Sequence, residues 1–187
     1  MKYDPQKHPF DRAQGRHRRS IRLPGYDYSR AGAYYITIVV QGRGHLFGEV
    51  VNGEMILNEY GQIAAEAWQW LEEQYPYVEL GAWVVMPNHA HGIIILHEDG
   101  RGGSRTAPTP SGDTAGMVKR KPLGSLIGAF KTVSTKKINI LRNTEGAVVW
   151  QRNYYEHIIR NEQDYQAKHD YILSNPANWE EDDENQS

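Results

Sequence analysis

Two apolar, β-branched runs meet at a single turn: Val78 to Met86, then Pro87-Asn88, then His89 to His97. Val, Ile and Trp dominate the runs, and Pro-Asn is turn chemistry, so the pattern predicts a central β-hairpin. The unbroken Ile93-Ile94-Ile95 marks its second strand as buried rather than edge-like. Everything else has to pack around this hairpin. Ala33 to Val40 (AYYITIVV) reads as another strand. Gln41 to Gly44 is a glycine-containing turn, and His45 to Val51 and Glu54 to Leu57 flank Asn52-Gly53, a strong two-residue hairpin signal. Asn58 opens a helix in which Ile63, Ala67, Trp70 and Leu71 recur at helical spacing, ending before Pro76.

In the second half, Leu123 to Leu141 reads as a helix. Leu123, Ile127, Phe130, Val133, Ile138 and Leu141 are expected inward, with Lys131, Lys136 and Lys137 outward. Ala147 to Ile159 reads as a strand region. Asn161 to Asn175 is the last helix, with Asn161 as N-cap, Glu162 and Asp164 in the positive first turn, and Pro176 as the stop. The order β-β-β-α-β-β-α-β-α predicts an α+β fold, an antiparallel sheet with helices packed on one face.

The chain has 187 residues, enough for one domain with arms. Residues 1–20 read as a flexible basic arm, 21–178 as the domain, 98–122 as a Gly/Ser/Pro-rich linker within it, and 179–187 as a disordered acidic tail. The absence of cysteine excludes disulfides, Cys-based zinc sites and thiol catalysis. No apolar run approaches the roughly 20 residues needed to span a bilayer, and no secretory signal is visible, so the expectation is a cytoplasmic protein with no membrane partner.

The net charge of −2 conceals segregation. Residues 1–30 carry eight Lys/Arg against three Asp, and residues 101–142 carry nine against Asp113 alone. Solvated basic loops would look like this. So would a surface for a polyanion, for which the candidate contacts are Arg16, Arg18, Arg19, Arg22, Lys119, Arg120, Lys121, Lys131, Lys136, Lys137 and Arg152.

The sharpest motif is Met86-Pro87-Asn88-His89-Ala90-His91-Gly92. On a strand, i and i+2 share a face, so His89 and His91 project side by side, roughly 7 Å apart along the backbone. Two imidazoles so placed are able to converge on one divalent ion. Two polar residues on a solvated edge would give the same spacing, but the apolar neighbours argue for burial, and Gly92 leaves room for close approach. A second constellation lies on the last helix. Tyr165, His169 and Ile172 share one stripe, while Tyr171 lies on a more polar face with Asn175 one turn on. A tyrosine so placed is either a half-exposed aromatic or a nucleophile.

With these motifs the chain resembles the HUH single-strand transposases that carry one catalytic tyrosine, and among them the REP-associated tyrosine transposases. His89-Ala90-His91 after Val-Val-Met-Pro-Asn is the His-hydrophobic-His motif. The resemblance continues through Arg22 to Tyr28, Leu46 to Glu49, Leu57 to Gly61, Trp150 to Asn161, Asp170 to Ile172 and Asn175-Pro176. It covers roughly residues 18–179 and departs from the family after Asn175-Pro176, where acid follows.

The resemblance implies a ferredoxin-like or RRM-like fold with the catalytic tyrosine on the C-terminal helix. It implies that His89, His91 and Asn175 hold Mg²⁺ or Mn²⁺ and that Tyr171 is the nucleophile. The implied activity is a metal-dependent endonuclease and strand transferase. It would cut and rejoin single-stranded DNA beside hairpin repeats through a 5′-phosphotyrosine link. The implied partner is single-stranded DNA with hairpin repeats, at the nucleoid when bound. Both a monomer and a homodimer are compatible with it. A hairpin-binding protein without catalysis, an RRM-like RNA binder and a nuclease using water are the competing readings. The RNP pattern that an RRM would carry is not found. Since neutral imidazole is the liganding form, activity is expected to fall below about pH 6.

Overall fold

The computed structural model describes residues 25–98, 120–182, 184 and 185. The arm expected over 1–20, nearly all of the linker expected over 98–122, and the candidate contacts Arg16, Arg18, Arg19, Arg22 and Lys119 lie outside the described residues.

The elements follow the expected order: β1 (Gly32–Val39), β2 (Gly48–Val51), β3 (Glu54–Leu57), α1 (Glu59–Gln74), β4 (Val78–Val85), β5 (His89–Leu96), α2 (Leu123–Leu141), β6 (Tyr155–Ile159) and α3 (Glu162–Ser174). β4, β5, β1 and β6 form an antiparallel sheet in that spatial order, and β2 and β3 form a separate hairpin. Setting that hairpin aside, β1-α1-β4-β5-α2-β6 is a ferredoxin-like unit followed by the helix α3. The signals in the chain account for the boundaries. Asn52 and Gly53 both take positive φ, as the two-residue turn requires. The Asn58 side chain accepts from Gly61 N at 3.0 Å and starts α1. Asn161 accepts from Asp164 N at 2.8 Å and starts α3.

The helices divide between the two faces, which differs from the one-face arrangement expected. Alternation along β1 sends Tyr34, Ile36 and Ile38 into the core shared with α1 and α2. Tyr35 points the other way and packs with Ile93 and Ile172 under α3. β5 is central and buried on both sides, so each face needs its own cover. On the α1/α2 side the core is aromatic: Trp150 lies 4.9 Å from Phe47 and 5.2 Å from Phe130, centre to centre, and Trp68 lies 5.3 Å from Phe130. Trp150 Nε1 donates to Ser134 Oγ at 2.9 Å, which satisfies its buried polar atom. Leu141, expected inward, is exposed, and Ser134 and Asn139 take buried positions on α2. Among the described residues no helix is long and apolar enough to cross a membrane.

The tail does not match its expected disorder over the described residues. Trp179–Glu181 form a short 3-10 turn, Trp179 and Asp182 are buried, and the Glu184 carboxylate pairs with Arg43 Nη1 at 2.8 Å. The physical reason is that the tail finds partners for both its aromatic ring and its acids at the end of the sheet.

Candidate metal and tyrosine site

The turn before β5 is tied down by its own backbone. Met86 N donates to His89 O and Val40 N to Asn88 O, each at 2.8 Å, and Phe47 N donates to Pro87 O at 3.0 Å. His89 and His91 then leave the strand on the α3 side, opposite Val39 and Thr37 of β1. Their rings stand 4.4 Å apart, and they are 0% and 3% exposed.

Asn88 sets the protonation pattern of His89. Its Nδ2 donates to two backbone carbonyls, Arg43 O at 3.2 Å and Glu184 O at 2.7 Å. Carbonyls only accept, so the amide orientation is decided and Oδ1 faces His89 Nδ1 at 2.9 Å. Nδ1 must then carry the proton, which leaves a lone pair on Nε2. His91 Nδ1 meets the hydroxyls of Tyr35 at 2.8 Å and Thr37 at 2.9 Å, both able to accept its proton. Neither Nε2 has a hydrogen-bond partner among the described residues, and both are buried.

Asp182 closes the cluster. Ligand atoms of His89, His91 and Asp182 all lie within 4.8 Å of one another. Two ligands about 2.1 Å from a shared ion stand at most about 4.2 Å apart, so small inward shifts would complete a site. Asn175, expected as the third ligand, is 2% exposed at the end of α3; its Nδ2 donates to Asp182 Oδ2 at 2.6 Å, while its Oδ1 is buried with no partner. Two orphaned imidazole nitrogens, a carboxylate and an orphaned amide oxygen fit a divalent cation and leave positions open for a substrate. Asp182 was not foreseen. The one signal for it was an acid a short distance past the tyrosine helix, inside a run that read as solvated charge.

Tyr171 faces this cluster. Its ring centre is 5.3 Å from that of His91 and its hydroxyl donates to Asp182 Oδ2 at 3.4 Å. The ring is 44% exposed, so the phenol spans cluster and solvent. The expected inner stripe of α3 holds for Ile172 and, partly buried beside it, Tyr165; His169 is half-buried, its ring stacked on Tyr165.

Burial pushes the His89 imidazole down to about 4, with Asp182 and Asn175 opposing the shift. Burial, then the neighbouring His89 and Lys168, pushes His91 well below its usual range. Both are therefore in the neutral, liganding form at neutral pH. The expected loss of that form near pH 6 is corrected downward, because desolvation disfavours the charged ring.

Among the described residues the basic candidates are engaged in different ways. Lys131 Nζ donates to the carbonyls of Gln151, Arg152 and Asn153 at 2.8, 3.3 and 3.1 Å, and burial lowers its pKa to about 8. It braces a loop instead of facing outward as expected. Lys137 pairs with Glu66 at 3.4 Å, and Lys121 Nζ reaches the Tyr75 hydroxyl at 3.3 Å. Lys131, Lys136 and Arg152 line an open groove of about 1030 Å³ between α2 and the loop after it. Arg120 stands half-buried just ahead of α2.

No family model matches the chain. An uncharacterized protein of Haemophilus influenzae is 39% identical over 172 residues, covering 89% of this chain and 92% of its own. The REP-associated tyrosine transposase of Escherichia coli is 27% identical over 150 residues, covering 80% of this chain and 69% of its own. A solved REP-associated tyrosine transposase bound to a REP hairpin superposes with a TM-score of 0.55 at 24% identity, covering 89% of this chain and 74% of that one. The chain is similar to the REP-associated tyrosine transposases. It shares their α+β fold. Beside the two histidines and the asparagine that the resemblance implies, the described residues bring in a carboxylate, Asp182, from beyond α3.

Proposed function

We propose that this protein is a REP-associated transposase that cuts and rejoins single-stranded DNA beside hairpin repeats, using Tyr171 as nucleophile and a divalent metal. The observation that carries the reading is the convergence of two unpartnered Nε2 atoms, Asp182 and Asn175 beside the half-exposed Tyr171, whose hydroxyl reaches Asp182. His89, His91 and Asp182 would hold the ion, with Asn175 offering its orphaned oxygen; Mg²⁺ and Mn²⁺ both suit the oxygen donors. When bound, such an ion withdraws charge from the scissile phosphate.

The chain's own residues supply the rest. The Tyr171 oxygen attacks phosphorus and forms a 5′-phosphotyrosine ester. The bond to the 3′ oxygen breaks, and that oxygen leaves as a hydroxyl after taking a proton. Asp182 Oδ2 already accepts the Tyr171 hydrogen bond, so it is placed to receive the phenolic proton. Asn175 orients that carboxylate. Asn88, Tyr35 and Thr37 keep both imidazoles turned so that Nε2 faces inward. The phosphotyrosine ester keeps the energy of the broken bond, so rejoining needs no nucleotide. This agrees with the lack of a P-loop in the sequence.

The test uses labelled hairpin oligonucleotides from the DNA on either side of the protein's own gene, with Mn²⁺ or Mg²⁺. A protein–DNA adduct that survives a denaturing gel is expected. It should vanish in Tyr171→Phe and with chelator. Hairpin binding with no adduct in either metal would favour a non-catalytic hairpin binder, and cleavage that survives Tyr171→Phe would favour a nuclease using water.

A further inference from the structure

The sheet face beside the cluster is covered unevenly. α3 rests on β4 and β5. β6 is the edge strand on the far side of β1, and the first turn of α3 reaches it through His157 Nε2 and Asp164 Oδ2 at 2.9 Å. Three tyrosines stand in a row across this region. Tyr35 of β1 is buried at the centre, with its ring 6.3 Å from Tyr155 of β6 and 6.2 Å from Tyr171 of α3, both in edge-on contact. The outer two rings are 39% and 44% exposed. Lys168, one turn ahead of Tyr171, holds Nζ 5.0 Å above the Tyr35 ring. No hydrogen bond or ion pair engages that ammonium among the described residues.

A core needs no exposed tyrosine at a sheet edge, and it does not need the Lys168 ammonium, which rests on an aromatic ring without an ion pair although Asp164 acts on it through space. Together they match what an unpaired nucleotide requires: an aromatic face for the base and a positive charge for its phosphate. We propose that Tyr155 and Lys168 form a nucleotide subsite on the open β1/β6 side of the site. Tyr155 stacks on a base next to the phosphodiester that Tyr171 attacks, and Lys168 binds the adjoining phosphate. Tyr35 is the floor between them. It also holds His91 through its hydroxyl, so the subsite and the histidine pair share a wall. The inference rests on the reading of the chain as an enzyme of single-stranded DNA, and it adds which surface receives the strand.

The experiment measures binding of the hairpin oligonucleotide, with and without its single-stranded flank, to the full chain over a salt series. Tyr155→Ala is expected to weaken the flanked oligonucleotide about tenfold, leave the flankless hairpin unchanged, and be rescued by Tyr155→Trp. Lys168→Gln is expected to lower the slope of log Kd against log salt by about 0.7, one single-strand phosphate contact, with Lys168→Arg restoring it. An abasic scan of the flank should find one position that costs the wild type affinity and costs Tyr155→Ala nothing. Equal weakening of both oligonucleotides, an unchanged salt slope, or an abasic penalty that survives in Tyr155→Ala would overturn the subsite and leave the Tyr171 chemistry standing. A wild type with neither flank-dependent binding nor a Tyr171 adduct would remove the transposase reading and the subsite together.

Discussion

Acid should unfold this protein through its two buried histidines before its carboxylates protonate. His89 titrates at about 4 in the folded chain, against an ordinary value of 6.5. Between those values the unfolded chain binds a proton that the folded chain refuses, so stability falls as pH falls through the window. It is complete above about 6.5 and levels off below about 4 for this group. From pH 7 to pH 5, His89 alone should remove about 2 kcal/mol. His91 is shifted in the same direction and adds to the loss. The assay is urea unfolding followed by tryptophan fluorescence at both pH values, in chelator, for wild type and His89→Gln. The variant should keep about 2 kcal/mol of what the wild type loses between the two pH values. Mn²⁺ should stabilise the wild type about equally at pH 7 and pH 5, and less only as pH nears 4, where proton and metal compete for the same lone pair. Equal stability at the two pH values, or an equal drop in the variant, would refute the reasoning. Asp164 has a lowered pKa, so its contribution is lost at more acid pH, as its carboxylate protonates.

Three further outcomes follow from particular contacts. A Cβ at Gly92 would collide with the Trp68 indole, so Gly92→Ala should cost about 1–3 kcal/mol in chemical denaturation; a neutral result would mean the core beneath β5 yields freely. Asn88→Ala removes the acceptor that turns His89, and Mn²⁺ affinity by calorimetry should fall about 10- to 100-fold, with unchanged affinity counting against the tautomer argument. Lys131→Met leaves three loop carbonyls without their donor and should destabilise by about 1–3 kcal/mol without changing the salt dependence of hairpin binding; a lower slope would return Lys131 to the DNA surface.

What was legible in the sequence had a short-range cause. His89 and His91 were readable as neighbours because a strand repeats every two residues, and Tyr171 and Asn175 because a helix repeats every four. The caps, the Asn52-Gly53 turn and the element order are equally local. Asp182 was not legible, because it reaches the cluster through an irregular turn after Pro176 that carries no period. Lys131 read as an outward cation, since its partners are backbone carbonyls that leave no mark on composition. The split of the helices between faces was hidden for a related reason. α3 buries Ile172 alone among its residues, too narrow a stripe to announce which side of the sheet it covers.

β5 carries histidine and glycine back to back. His91 looks toward Tyr171, and Gly92, the next residue, admits the Trp68 ring from the opposite layer. One strand is thus a thin partition, and its displacement by a fraction of an ångström is felt in both rooms. Trp68 sets how high the partition stands. A change in α1, with no atom near the reacting groups, would therefore be read first as a changed affinity for metal.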